Sequence, residues 1–145
     1  MIKVEEALTI IEANSAKMPA QQIAVSKALG YVLAEKVISP IHMPPFRQSA
    51  MDGYAFIHSI KHQYDIVSTS QAGDHSNLKL NANEAVRIFT GAFVPDDADT
   101  VVMQEHVIAN KNSILIAAMP VKNANIRAKG EQIAKDDIVF EAGTL

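Results

Sequence analysis

The chain has 145 residues, 48% hydrophobic and 20% charged, which suits one domain, or one domain with a small appendage, that folds without staples. It has no cysteine, which excludes disulfides, thiolate nucleophiles and sulfur-ligated zinc, and its longest apolar run, Ile114 to Met119, is far too short for a membrane span. With 13 basic and 16 acidic residues the net charge is −3, which argues against non-specific nucleic-acid binding. The opening MIKVEEALTII carries two glutamates where a signal peptide needs a plain apolar stretch, so a cytoplasmic protein is expected.

In chain order, Val4, Ala7, Leu8 and Ile11 follow the i, i+3, i+4, i+7 spacing of one buried helix face. Asn14, Ser15 and Pro19 end that helix near residue 15. A brief turn from Ser26 to Leu29 closes at Gly30, and Tyr31 to Ile38 is expected to be a strand. Pro40, Pro44 and Pro45 then impose an irregular loop, because none can donate a backbone hydrogen bond and each pushes its predecessor towards extended geometry. Short strands follow at Tyr54 to Ile57, Tyr64 to Gln71, Ala85 to Phe89, Thr100 to Val107, Ser113 to Ala118 and Asp137 to Phe140. The turn-forming clusters AGDHSN, GAFVPDDAD and NKN separate them, and HVIANKNSILIAAM is expected to be a hairpin about Asn110 to Asn112. The class is α+β: an N-terminal helix and extended segment (1–40), a compact, barrel-like, mixed β-rich domain (41–125) and a return segment (126–145). The helix is expected to pack outside the β unit.

Three segments carry candidate chemistry. In PPFRQSAMDGYAF, Asp52 sits on a Pro-braced loop beside Gly53, which lets a ligand or another backbone approach closely. Asp52 there positions a metal-bound water or accepts hydrogen bonds from a ligand, or else simply caps an Asx-Gly turn. In AVRIFTGAFVPDDADTVVMQE, a buried strand ends at Thr90 and Gly91, a place for a hydroxyl and a free amide to meet an anion. Thr90 equally suits a strand end bonded to its own backbone. Asp96, Asp97 and Asp99 form an acidic turn, read as solvated because a calcium loop needs wider ligand spacing. Glu105 follows the strand VVM and is expected to face a cleft, pointing by alternation opposite to Gln104. In NANIRAKGEQIAKDDIVFEAG, Arg127 and Lys129 offer basic donors near an oxyanion, or line an ordinary turn. His58 and His62 have zinc-like spacing but no glutamate between them and no third ligand. Residues alone thus leave several readings open, among them an oligonucleotide-binding β-barrel, which lacks the necessary basic and aromatic stripe.

These segments, in this order, resemble the N-terminal region of the molybdopterin molybdenumtransferase family (MoeA-type proteins, including the gephyrin E domain). The matching stretches are PPFRQSAMDGYAF, EAVRIFTGAFVPDDADTVVMQE and NIRAKGEQI, with weaker agreement at EALTII and ALGYVLAEKVISP. The resemblance implies a transferase of molybdenum cofactor biosynthesis that takes adenylylated molybdopterin and molybdate and, with magnesium, inserts molybdenum and releases AMP. It implies a homodimer whose cleft joins the β-rich domain of one subunit to the pterin-binding domain of the other, with molybdopterin adenylyltransferase as pathway partner. It ends where the family's MogA-like α/β domain would begin, so a 145-residue piece is expected to be inactive alone. By resemblance, Asp52 and Thr90 are the catalytic candidates, with Asp52 also a magnesium ligand through water. Ser49, Gly91 and Arg127 are the substrate-binding candidates. The alternative is a non-catalytic dimerisation or scaffold module of the same family. Departures from the family pattern are Arg47, Gln48, Gln132 and Asp136, the last standing where the family often has glycine.

Overall fold

The computed structural model describes residues 2–74 and 78–145, so residues 75–77 of the expected AGDHSN turn lie outside the described residues. Helix α1 (Val4–Asn14) forms where the apolar periodicity places it, with Glu5 and Glu6 in the first turn, where the helix dipole favours negative charge. A 3-10 turn follows at Val25–Lys27. The strands are β1 (Val37–Ile38), β2 (Gln48–Ser49), β3 (Gly53–Phe56), β4 (Gln63–Ser70), β5 (Glu84–Ile88), β6 (Thr100–Met103), β7 (Val107–Ala109), β8 (Ser113–Ile116), β9 (Ile126–Arg127) and β10 (Ile138–Phe140). The α+β expectation holds: among the described residues one α-helix accompanies a curled half-barrel sheet. Among the described residues no helix is long and apolar enough to cross a membrane.

The main sheet has the order β6-β3-β5-β4-β8-β7. All its neighbours are antiparallel except β4 and β5, and residues 71–83 are long enough to return the chain for that parallel pair. Strand β3 is buried on both faces, so its sequence GYAF shows no polar alternation. One face packs Ala55, Val86, Ile88 and Val101 against Leu80, Ala92, Val94 and Ala98. The other packs Tyr54, Phe56, Tyr64, Ala85 and Val102 with Ile114 and Ile116. The expected hairpin forms: β7 pairs with β8, and the Asn110 amide donates to the Ser113 carbonyl at 2.8 Å.

The chain divides into two units. One comprises 1–37 and 140–145, the other 38–139. Residues 126–139, expected as part of a return segment, group with the β-rich unit.

Three expectations need correction. The strand expected over Tyr31 to Ile38 shrinks to β1, because Leu33 bonds only to the C-terminal segment, donating to the Thr144 carbonyl and accepting from the Gly143 amide. Gly143 has φ +92°, which prevents that pairing from extending as a ladder. The strand expected over Thr100 to Val107 ends at Met103 and passes into a 3-10 turn, Gln104–His106; the Gln104 backbone amide makes the last bond of the β3–β6 pairing, to the carbonyl of Asp52 opposite it. Finally, the stripe on α1 is not buried: Val4, Leu8 and Ile11 are 71%, 55% and 61% exposed.

Candidate functional site

The three chemistry-bearing segments meet at β2. Gln48 and Ser49 pair with Arg127 and Ile126 on one side, and the Ala50 amide donates to the Asn125 carbonyl. On the other side Ser49 donates to the Ala92 carbonyl and accepts from the Gly91 amide, while Gln48 bridges to Phe93. Two-residue strands carry no periodicity, so nothing in the sequence marks this junction as secondary structure.

Ser49 is fully buried, and its hydroxyl donates to the Met51 carbonyl at 2.6 Å. That bond tightens the turn leading from β2 into β3, with Asp52 at its end. Gly53 must then be glycine: a Cβ there would lie 1.8 Å from the carbonyl oxygen of Val102 on β6. The close approach is thus to backbone, one of the two alternatives that the sequence left open.

Asp52 is half-buried, and its Oδ1 accepts two hydrogen bonds from Thr90, one from the amide and one from the hydroxyl, each 2.8 Å. Those two bonds, amide first, hold the carboxyl below its ordinary range; a small desolvation opposes them and the charge of Arg87 assists. Asp52 is therefore a carboxylate at neutral pH, suited to accept hydrogen bonds or to hold a cation's water, and unsuited to act as an acid. Among the described residues, Oδ2 accepts no hydrogen bond.

Of the two readings of Thr90, neither the free anion cradle with Gly91 nor a hydroxyl bonded to its own backbone forms. Both Thr90 donors point to Asp52, because a carboxylate is the strongest acceptor within reach, and the Gly91 amide donates to the Ser49 carbonyl at 2.9 Å. Arg127, by contrast, is exposed on β9, and among the described residues its guanidinium makes no hydrogen bond or ion pair. It is the cation of this junction still open to an anionic ligand.

Other candidates have structural employment. Arg47 donates to the Asp96 and Ala98 carbonyls, fastening the acidic turn, and that turn is no mere solvated loop. Asp97 accepts from the Leu80 amide, and Asp99 from the His58 amide and the Thr100 hydroxyl. His58 Nε2 lies 3.0 Å from the Pro120 carbonyl and His62 Nδ1 2.8 Å from that of Ile116, so the two rings bond to different backbone carbonyls. Among the described residues no group of three His, Asp or Glu side chains gathers to cage a metal. Glu105 does not point opposite to Gln104: the two share the 3-10 turn, and Gln104 Nε2 donates to Glu105 Oε1 at 3.2 Å.

Sequence reasoning missed Arg87. Its guanidinium lies 5.1 Å from the Tyr54 ring centroid and 4.6 Å from that of Phe89, and it donates to the Gly53 carbonyl and to Gln104 Oε1. The available signal was a lone charge inside the apolar run AVRIF.

The family model for the MoeA N-terminal region (domain I and II) matches residues 2–145. The molybdopterin molybdenumtransferase of Haemophilus influenzae is 39% identical over 127 residues, covering 85% of this chain and 31% of that protein. That of Staphylococcus aureus is 35% identical over 153 residues, covering 99% and 36%. A crystal structure of the molybdopterin biosynthesis MoeA protein from Pyrococcus horikoshii superposes with a TM-score of 0.86 at 24% identity, covering 95% of this chain and 39% of that one. A further MoeA structure from Pyrococcus has a TM-score of 0.76 at 28% identity, covering 97% and 38%. The chain spans about a third of the length of the curated relatives it matches.

Proposed function

This chain belongs to the MoeA N-terminal family, and from that premise we propose that it is the N-terminal part of a molybdopterin molybdenumtransferase. The reaction is insertion of molybdenum from molybdate into adenylylated molybdopterin with release of AMP. Asp52 is the chemical centre of this half of the site, and the observation that carries the reading is its Oδ1 clamped by both donors of Thr90.

In this reading Thr90 is the clamp: it spends its amide and hydroxyl on Asp52 and so fixes the direction in which Oδ2 presents its lone pairs. A magnesium ion, when bound, supplies positive charge beside the phosphate that leaves with AMP. The residues present fit it as one carboxylate acting through water, because magnesium keeps several waters and takes only one or two carboxylates beside substrate phosphates. Asp52 fits that part, and Arg127 supplies a fixed positive charge for the phosphate or molybdate oxygens. Ser49 and Gly91 support the site by holding the turn and β2 in place rather than by touching substrate. The pterin pocket belongs to the remaining two-thirds of the polypeptide, and the working cleft lies between subunits of a homodimer.

Asp52→Ala within the intact polypeptide tests this. It should abolish molybdenum insertion from adenylylated molybdopterin, molybdate and magnesium while leaving the melting temperature nearly unchanged. Full activity in that variant would sink the assignment. The exposed apolar stripe of α1 favours a second reading, a dimerising module without chemistry of its own. Equal insertion by Asp52→Ala, combined with loss of the dimer in Leu8→Glu, would select it.

A further inference from the structure

We infer that Arg87 and Gln104 are positioning residues for Asp52, closing a hydrogen-bonded circuit that fixes the backbone on which its carboxylate is carried. The inference rests on the assignment of Asp52 to the insertion reaction.

The circuit is built from three strands. Arg87 on β5 stands directly opposite Tyr54 on β3, and Tyr54 stands opposite Val102 on β6. Cross-strand partners share a face, and the contacts of Arg87 bring Phe89 and Gln104, just beyond the ends of β5 and β6, to that same side. There the guanidinium lies against the rings of Tyr54 and Phe89 and spends its fork on two acceptors. Nη1 donates to the Gly53 carbonyl at 2.9 Å and Nη2 to Gln104 Oε1 at 2.6 Å. Gln104 closes the loop through its main chain, since its backbone N–H donates to the Asp52 carbonyl at 3.0 Å while its side chain takes the Arg87 bond. The backbone carbonyls of Asp52 and Gly53 are thus each held by one member of the pair, while Thr90 holds the carboxylate itself. Gln104 Nε2 donates in turn to Glu105 Oε1, which orients the amide so that Oε1 faces Arg87.

The residue types suit this task better than a purely stabilising one. Aromatic packing of Tyr54 and Phe89 needs only an apolar partner, and a methionine would serve. Two acceptors at fixed separation need a rigid planar fork, which arginine has and lysine lacks. The guanidinium also brings a positive charge close enough to favour the ionised carboxyl of Asp52. Displacing a reacting group by about 1 Å costs on the order of 100-fold in rate, so a device that fixes the Asp52 backbone acts on turnover and leaves binding alone.

The test compares Arg87→Lys, Arg87→Met, Gln104→Ala and Asp52→Asn in the intact polypeptide, with kcat and KM for adenylylated molybdopterin measured separately. Both Arg87 variants should lower kcat by about 10- to 100-fold and move KM less than about 3-fold. Gln104→Ala, an exposed change that leaves the fold intact, should lower kcat in the same direction. In the 145-residue chain, the Thr90 amide proton, which reports its bond to Asp52 Oδ1, should shift in Arg87→Lys and Gln104→Ala. Unchanged kcat in the Arg87 and Gln104 variants, with Asp52→Asn inactive, overturns the inference. A change confined to KM also overturns it, because Arg87 would then touch substrate. An active Asp52→Asn overturns instead the assignment of Asp52, whatever the other variants do.

Discussion

A methyl group on Gly53 has nowhere to go: its carbon would sit 1.8 Å from the Val102 carbonyl oxygen, inside the ladder between β3 and β6. Backbone must move to admit it, so Gly53→Ala should cost at least about 3 kcal/mol in urea unfolding. A cost under about 1 kcal/mol would mean that the strands separate easily there. Asp99 shows a different economy. Burial pushes its carboxyl up, yet the His58 amide, the Thr100 hydroxyl and the Lys122 ammonium at 3.2 Å together outweigh burial and hold it below its ordinary value. A carboxyl depressed in the folded state stabilises the fold above the unfolded value, and that contribution is lost as pH falls through the folded value. The urea midpoint of the native chain should therefore drop below about pH 4, and Asp99→Asn should flatten part of that drop. An Asp99→Asn curve parallel to the native one would remove Asp99 as the cause. Asp136 sits at φ +72°, a left-handed backbone that favours glycine.

Helix α1 and strand β5 are both apolar along one side, yet only β5 is packed. Ile88 is fully buried between sheet neighbours, whereas Leu8 on α1 is 55% exposed. Ile88→Ala should destabilise the chain by about 2–5 kcal/mol and Leu8→Ala by less than about 0.5 kcal/mol, read from urea midpoints at constant m. Comparable losses would show that α1 is packed in solution. The same contrast explains what the sequence made legible. Strands of four to eight residues left alternation or an apolar run to find, and those in the sheet were placed within one or two residues, except where β6 gives way to the turn at Gln104. The helix was equally plain from its spacing. Periodicity marks an apolar face without naming what covers it, so the burial expected for Val4, Leu8 and Ile11 did not follow. Strands β2 and β9 have two residues each and no pattern at all, and only the motif positions marked them. Of the site, Asp52 and Thr90 were legible as residues, while the direction of their bonds was not. Only the fold shows that Thr90 donates inward to Asp52 and that the Gly91 amide is spent on Ser49.

At the scale of the molecule, every buried side chain among the described residues lies in the unit formed by 38–139, and none in the unit formed by 1–37 and 140–145. Cooperative unfolding reports the exposure of buried surface, and its denaturant slope scales with the surface exposed. The unfolding transition of the whole chain should therefore belong to the β-rich unit, with the other unit adding length but little slope. A chain restricted to residues 38–139 keeps Asp52, Thr90, Arg87 and Gln104, both faces of the core and the bonds that join Ser39 to Asp136 and Asp137. It should unfold in urea with the same m value and with a stability within about 1 kcal/mol of the full chain. Amide exchange in the full chain should agree: α1 amides should exchange near the rate of a frayed helix, and those of β3 and β5 only through global opening. A fall in m in proportion to the residues removed would overturn this, because it would mean that the 1–37 segment buries surface in the same cooperative step as the sheet.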